Sequence, residues 1–553
     1  MANGLLINYA GVPHEMSSLF PDNGLAVLAA VLKGHNHSVQ ILDFSTIDTI
    51  AAVYSDSIRR SLAALAPTVY GGDEPGAAEL EQLKAVESDI QAREIAFLED
   101  QAQWLSRRIE QENITWIGFK LWMGSVRQSM MLAAALKKAH PGLKIFGGGP
   151  CVDIFQEAIL EKYPFIDALV FAEAEVALPM LVDWAGGQGR RSGIPNLIFS
   201  KDGRIIKNEI KRIRALDDLP MPLYGPDVYP AMAGDEKMKI LCFDDSRGCP
   251  MGCAFCPGVN KFGVERIEKS ANRCIAELAH LKQRYGTRFF RFSGSNTSGK
   301  LLNAVAEKLI AEKMDIVFAV FSSAGNMKAK AIETLARAGL FSVFMGIESA
   351  DTDQLHSWFG KKQSLSHMAG IIQACKQAGV FVSTSIIYPG PFSDDRVFRE
   401  NLDYLTDLLA GYPHCSVAIY PAGLYPHTKW YDNPEAYGFR IQSPSKAAYA
   451  EEVLDYRYNI ILPRYLWKSI PYTLNGKPFH QLLMETHSFA QALASRGILT
   501  YLVEANLMMA ATLGYGEYTE FARQSNIAFF TGDAGTLRQW NAAFNREEAR
   551  HGA

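Results

Sequence analysis

The sequence predicts an α/β protein in three parts: a doubly wound parallel sheet, a parallel barrel or partial barrel of about six β/α units, and a mostly helical end. Three observations predict it. Short apolar runs alternate with helical patterns from the N-terminus to about residue 190, and again from about 236 to 430. A proline-rich stretch, "LPMPLYGPDVYP", lies between the two series. Beyond 430 the alternation gives way to helical, aromatic-rich sequence. At 553 residues the chain exceeds one ordinary core, and 48% apolar with 21% charged residues is a globular composition. A formal net charge of −4 gives no pull toward nucleic acid or anionic membrane. No apolar run reaches the roughly 20 residues of a bilayer span. "MANGLLINYAG" lacks the basic start of a signal peptide and reads as a first strand. Eight scattered cysteines do not form a secreted disulfide framework, so a reducing cytoplasm is expected.

In the first part, "GLLINYA" and "SVQILDF" read as strands around the helix "GLAVLAAVLKGHN". Residues 77–112 interrupt as a long charged amphipathic helix, with Leu80, Leu83, Val86, Ile90, Phe97, Leu105 and Ile109 on one stripe. The alternation resumes with "ITWIGFK", a helix, "LKIFGGGP" and "DALVF", closing a five-stranded domain over 1–190. Residues 191–235 read as a connector carrying a "NLIFS-KDG-RIIKN" hairpin. The barrel spans 236–430 through "MKILCFDDSRGC", "TRFFRFSG", "DIVFAVFSS", "FSVFMGIES", "VFVSTSIIYPG" and "CSVAIYPAG", and a helical cap takes 431–553.

The most specific chemistry lies in "SRGCPMGCAFCP", where Cys249, Cys253 and Cys256 sit on the loop after the first barrel strand. A structural zinc site usually carries paired C-x2-C knuckles and four ligands, and no second knuckle exists here. Three thiolates on one loop suit three corners of a [4Fe–4S] cubane and leave one iron open. Zinc or unligated buried thiols are the alternatives. Phe255 puts an aromatic between the last two cysteines, and Gly248 and Gly252 let the backbone wrap closely.

This loop resembles the cluster motif of the radical S-adenosylmethionine (SAM) enzymes. The resemblance implies that SAM chelates the open iron and is cleaved to a 5′-deoxyadenosyl radical. "LARAGLFSVFMGIESADTDQL" resembles a later stretch of the same superfamily, which carries Gly346, Glu348 and Ser349 over as SAM or active-site contacts. Where many relatives end the second barrel strand in an acidic or Gly-Gly-Glu motif, this chain has "RFSGSNTSG". Ser293 and Asn296 then stand as substitute hydrogen-bonding contacts. Ser393-Asp394-Asp395 likewise replaces a usual Gly-Glu-Thr ending.

Residues 1–190 resemble the Rossmann-like (flavodoxin-like) cobalamin-binding domain often fused ahead of such a barrel. Gly147, Gly148 and Gly149 allow close backbone approach to a flat ligand, and Glu173 belongs to "AEAE" where relatives read GEGE. The motif Asp-x-His-x-x-Gly, which supplies a histidine to cobalt elsewhere, is absent, and His14 is the nearby candidate. The combined resemblance implies a cobalamin-dependent radical SAM methyltransferase acting on an unactivated carbon. Ring formation, rearrangement or carbon–carbon coupling, with or without cobalamin, is the alternative. The expected cofactors are a [4Fe–4S] cluster, SAM and cobalamin. The expected partners are a small-molecule or peptide substrate and a low-potential donor such as flavodoxin or ferredoxin. Residues 431–553 add aromatics with His480, Glu485 and His487, and no catalytic residue is assigned there.

Overall fold

The computed structural model describes residues 3–71 and 75–551. The first sheet has parallel strands β1 (Asn3–Asn8), β2 (Ser38–Asp43), β3 (Trp116–Lys120), β4 (Lys144–Gly148) and β5 (Ala168–Val170). The hairpin β6 (Leu197–Lys201) and β7 (Arg204–Lys207) continues it antiparallel, giving the order β2-β1-β3-β4-β5-β6-β7. The hairpin placed in the connector by sequence thus belongs to this sheet. It pairs the backbone donors and acceptors that β5 would otherwise leave open on its edge. The strand order reverses direction between β1 and β3, and such a switch point is where an α/β sheet opens a crevice for ligands.

The inserted helix Ala77–Gln111 forms as its stripe predicts, with Leu83, Val86, Ile90, Leu105 and Ile109 buried. It also buries two carboxylates that reach the C-terminal part of the chain. Glu87 accepts from the Ile461 backbone at 3.1 Å, and Glu94 accepts from Tyr9 Oη at 2.5 Å and pairs with Arg457.

The second sheet begins with β8 (Leu241–Phe243), after which β9 (Ser246–Arg247) and β10 (Ile267–Glu268) form a small antiparallel ribbon. Strands β11 (Phe289–Phe292), β12 (Val317–Phe321), β13 (Leu340–Glu348), β14 (Phe381–Ile387) and β15 (Cys415–Tyr420) follow in parallel, in the order β15-β14-β13-β12-β11-β8. The six strands match the six sequence segments, and the barrel is partial because β8 and β15 do not pair. Four barrel helices start with side-chain caps: Ser270, Ser298, Ser364 and Asp394 each accept a backbone N–H three residues on. The departure at Ser393-Asp394-Asp395 therefore has a local role, since Asp394 is one of these caps.

The chain after the barrel is mostly helical, with a small sheet of β16 (Phe439–Ile441), β17 (Tyr472–Leu474) and β18 (Lys477–Pro478). Its residues 499–502 seal the open edge of β15: Val417 N–H donates to Leu499 O at 2.9 Å, and Tyr501 N–H to Val417 O at 3.1 Å. The helix Tyr518–Thr531 packs on the N-terminal domain, where Phe530 meets Tyr70 edge to face at 5.4 Å. The C-terminal region therefore clamps both domains. Among the described residues, no helix is long and apolar enough to cross a membrane.

Candidate cofactor site at the domain junction

The three cysteines follow β9 on a loop anchored at each turn. Gly248 has φ +82°, and a Cβ there would lie 1.9 Å from the Glu265 carbonyl oxygen, so only glycine fits. Cys249 N–H donates to Gly263 O at 3.2 Å, Ala254 N–H to Phe359 O at 2.8 Å, and Lys429 Nζ to Gly252 O at 3.0 Å. The Phe255 ring packs on Phe359 at 6.0 Å and on Trp430 at 5.7 Å, which makes it a buttress of the loop.

All three thiols are free and partly buried. They sense one another electrostatically, and burial pushes the Cys253 thiol up to about 11. Among the described residues, no three His, Cys, Asp or Glu side chains converge on a single metal ion. Two donors face the sulfurs: Gly258 N–H lies 3.4 Å from Cys256 Sγ, and Asn296 Nδ2 lies 3.6 Å from Cys249 Sγ. Hydrogen bonds to cluster sulfurs help set a cluster's potential. Asn296 thus reaches Cys249 Sγ, while its Oδ1 accepts from Ser323 N–H at 2.9 Å.

Glu348 ends β13 with φ +67° and folds back over Gly346, where a Cβ would meet its Oε1 at 2.0 Å. Lys361 Nζ donates to Glu348 Oε1 at 3.0 Å and Ser385 Oγ to Oε2 at 2.9 Å. Both Glu348 and Lys361 act on the Cys253 and Cys256 thiols electrostatically, so this pair stands beside the cluster loop. Ser349 is fully buried, its hydroxyl accepting from Asp351 N–H at 3.1 Å and lying 3.2 Å from Gln354 Oε1. It holds the turn after β13.

A cavity of about 550 Å³ opens at the carboxyl ends of the first sheet and is closed on its far side by the barrel. Gly147, Gly148, Gly149, Glu173 and His14 line it, together with Asp153, Lys261, Arg291 and Ser293. Gly149 has φ +93° and a Cβ there would meet Lys120 Cγ at 2.9 Å, so the strand end stays bare toward the cavity. Ser293 belongs to this shared wall, with Oγ donating to Phe243 O at 3.1 Å. The size and mixed lining suit an organic cofactor.

Glu173 does more than line the cavity. Arg247, two residues before Cys249, donates to Glu173 Oε1 at 2.8 Å, to Glu175 Oε1 at 2.5 Å and to Asp244 Oδ2 at 2.7 Å. Glu173 Oε2 accepts from Ile213 N–H at 2.9 Å. Burial opposes the Arg247 charge, but Asp244, Glu175 and Glu173 outweigh it and hold the guanidinium protonated. The "AEAE" carboxylates therefore tie the cavity wall to the cysteine loop. Nearby, buried Asp245 accepts from Gly294 N–H, Thr297 Oγ1 and Ser246 Oγ, each at 2.8 Å.

A second cavity of about 240 Å³ occupies the barrel lumen. Ser342, Ser383 and Ser416 line it from the strands, and Arg464, Tyr501 and Glu504 close it from the C-terminal region. Arg291 lines both cavities and pairs with Glu504 at 3.0 Å. Sequence reasoning missed Arg247, Lys361, Ser385 and Arg464. Only Arg247 had a local signal, its place within the "SRGC" motif.

The Radical SAM superfamily matches residues 245–405, and the B12 binding domain family matches residues 82–182. An uncharacterized methyltransferase of Pyrococcus horikoshii is 26% identical over 314 residues, covering 55% of this chain and 67% of that protein. The cobalamin-dependent radical SAM methyltransferase TokK of Streptomyces tokunonensis is 22% identical over 388 residues, covering 67% of this chain and 56% of that protein. The radical SAM methyltransferase TsrM of Kitasatospora setae, solved with cobalamin and a [4Fe–4S] cluster, superposes with a TM-score of 0.65 at 13% identity. That superposition covers 97% of this chain and all of the other, and shows a shared fold. The chain is a radical SAM protein with a B12-binding domain ahead of its barrel. The two domains together are those of the cobalamin-dependent radical SAM enzymes, and the cofactors they call for are a [4Fe–4S] cluster, SAM and cobalamin.

Proposed function

We propose that the protein is a cobalamin-dependent methyltransferase that moves a methyl group from SAM, by way of the corrin, to an unactivated carbon of a small molecule or peptide. The observation that carries this reading is the common wall: Arg291 lines both the glycine-edged cavity and the barrel lumen. A substrate in the lumen would face the corrin cavity across Arg291. When bound, the cluster and SAM supply the radical and the corrin supplies the methyl carrier.

The chain's own residues do the holding. Cys249, Cys253 and Cys256 ligate the cluster. Gly346, Glu348 and Lys361 shape the place beside it where SAM binds, with Ser349 fixing the adjoining turn. The bare edge of Gly147, Gly148 and Gly149 takes the corrin, and Phe255 and Asn296 steady the cluster loop. The C-terminal strand-like segment at 499–502 shields the lumen from water by closing the β15 edge. A low-potential donor such as flavodoxin or ferredoxin would reduce the cluster in a reducing cytoplasm.

The test begins with metal content of protein purified without oxygen from cells supplied with cobalamin. About four irons and one cobalt per chain are expected, as one cubane and one corrin imply. Isotopically labelled SAM methyl appearing in product supports methyl transfer, whereas SAM cleavage giving a cyclised or rearranged product without label would overturn it. Cys253→Ala should lose both bound iron and SAM cleavage; cleavage persisting in that variant would sink the cluster assignment.

A further inference from the structure

One carboxylate oxygen in the corrin cavity wall is left without a hydrogen-bond partner among the described residues. Asp153 sits on the short helix Pro150–Phe155 that follows Gly149, and is only 5% exposed. Its Oδ1 accepts from Ala172 N–H at 2.6 Å, but its Oδ2 is buried with no hydrogen-bond partner. Buried carboxylate oxygens are ordinarily satisfied, and an unsatisfied one is a cost to the folded protein.

Across the same wall stands Lys261, on the helix Gly258–Phe262 that continues the cluster loop and packs against the Asp153 helix. Among the described residues its Nζ makes no hydrogen bond or ion pair, and it rests 4.4 Å from the Phe262 ring centroid. Lys261 and Asp153 act on each other electrostatically without closing into an ion pair. Arg212 joins them from the connector, its Nη1 also buried without a partner. Burial disfavours charge on all three: it pushes Asp153 up to about 6 and lowers Lys261 and Arg212.

The chemistry of this cluster selects its ligand. An anionic group would be repelled by Asp153, and a cation by Lys261 and Arg212. A neutral group with a donor and an acceptor side by side satisfies both, and a primary amide is such a group. The rim of a corrin carries primary amides on its side chains. We infer that Asp153 and Lys261 together grip one amide arm of the corrin, Asp153 Oδ2 accepting from the amide NH2 and Lys261 Nζ donating to the amide oxygen. This rests on the corrin reading of the cavity. It adds a recognition pair, built from both domains, to the glycine edge.

The test uses the full-length protein, purified anaerobically with its cluster, and reads equilibrium binding by absorbance. The probes are aquacobalamin and its monocarboxylic acid derivatives, each with one side-chain amide hydrolysed. Wild type should bind one of these acids about tenfold or more weakly than aquacobalamin, since a second carboxylate meets Asp153, a loss on the scale of a charge-assisted hydrogen bond. Asp153→Asn should recover binding of that same acid, and Lys261→Met should bind aquacobalamin about tenfold more weakly. The inference fails if every acid is weakened equally in wild type and Asp153→Asn, or if both variants bind aquacobalamin as wild type does. If wild type binds no aquacobalamin, the corrin reading fails and takes the inference with it. The wild-type acid series is informative even if a variant does not fold.

Discussion

Two clusters of buried charge lie at the same domain junction and have opposite character. At Arg247, one guanidinium is matched by Glu173, Glu175 and Asp244, all within hydrogen-bonding distance. At Asp153, the carboxylate feels Lys261 and Arg212 electrostatically, yet among the described residues Asp153 Oδ2 and Arg212 Nη1 have no hydrogen-bond partner. A saturated cluster has nothing left to offer a ligand, and its work is to join the B12-binding domain to the cysteine loop. An unsaturated one is a cost to the empty protein that a ligand can relieve. Burial alone does not separate structural from binding charges; completeness of pairing does.

The largest effect is expected at Arg247. Arg247→Met takes the guanidinium away from buried Glu173 and from its neighbours Glu175 and Asp244, and should cost about 3–5 kcal/mol, the scale for removing one partner of a buried ion pair. The loss would be read as a lowered urea midpoint together with poor iron retention, and Arg247→Lys should restore part of both. A wild-type midpoint in Arg247→Met would mean the domains are joined by other contacts.

Asp153 should behave in the opposite sense. Its carboxyl rises from 3.8 to about 6 on folding, because burial favours the acid form. The stability it contributes is therefore complete below about pH 4 and is lost as pH rises through about 6, a cost of about 3 kcal/mol above that. In cofactor-free protein, Asp153→Asn should raise the melting temperature more at pH 8 than at pH 5. An equal gain at both would show that the carboxyl is not perturbed as described.

Lys361 offers an intermediate case, since it is one of two groups that satisfy Glu348. Lys361→Met should destabilise by about 1–3 kcal/mol in urea unfolding, the cost of an unmet buried acceptor. Lys361→Arg should recover some of it. The smallest effect is expected at Phe255, which holds the loop by ring contacts alone. Phe255→Leu should cost about 1 kcal/mol and keep the cluster, as judged by iron content.

Much of the fold was legible because it is written in local patterns. Apolar runs of strand length and a helical stripe over 77–112 each report a period that neighbouring residues set by themselves. The hairpin at 197–207 was visible as a hairpin, but its membership in the first sheet was not, because pairing with β5 is a contact between segments. The cysteine loop was the most legible part of the site: its three cysteines lie within eight residues, so the chain itself keeps them on one loop. Glycines 147–149 were also readable, since a bare strand end needs only its own residues.

Sequence alone therefore determined the alternation of elements, the thiol trio and the glycine edge, all of which follow from short-range spacing. Tertiary structure decided the partners of the charges. Glu173 and Arg247 are 74 residues apart, and Asp153 and Lys261 belong to different domains. Whether such groups saturate each other or stand open depends on how two independently patterned sheets dock. Coulomb and hydrogen-bond energies act over a few ångströms in space, and spacing along the chain carries no record of that distance.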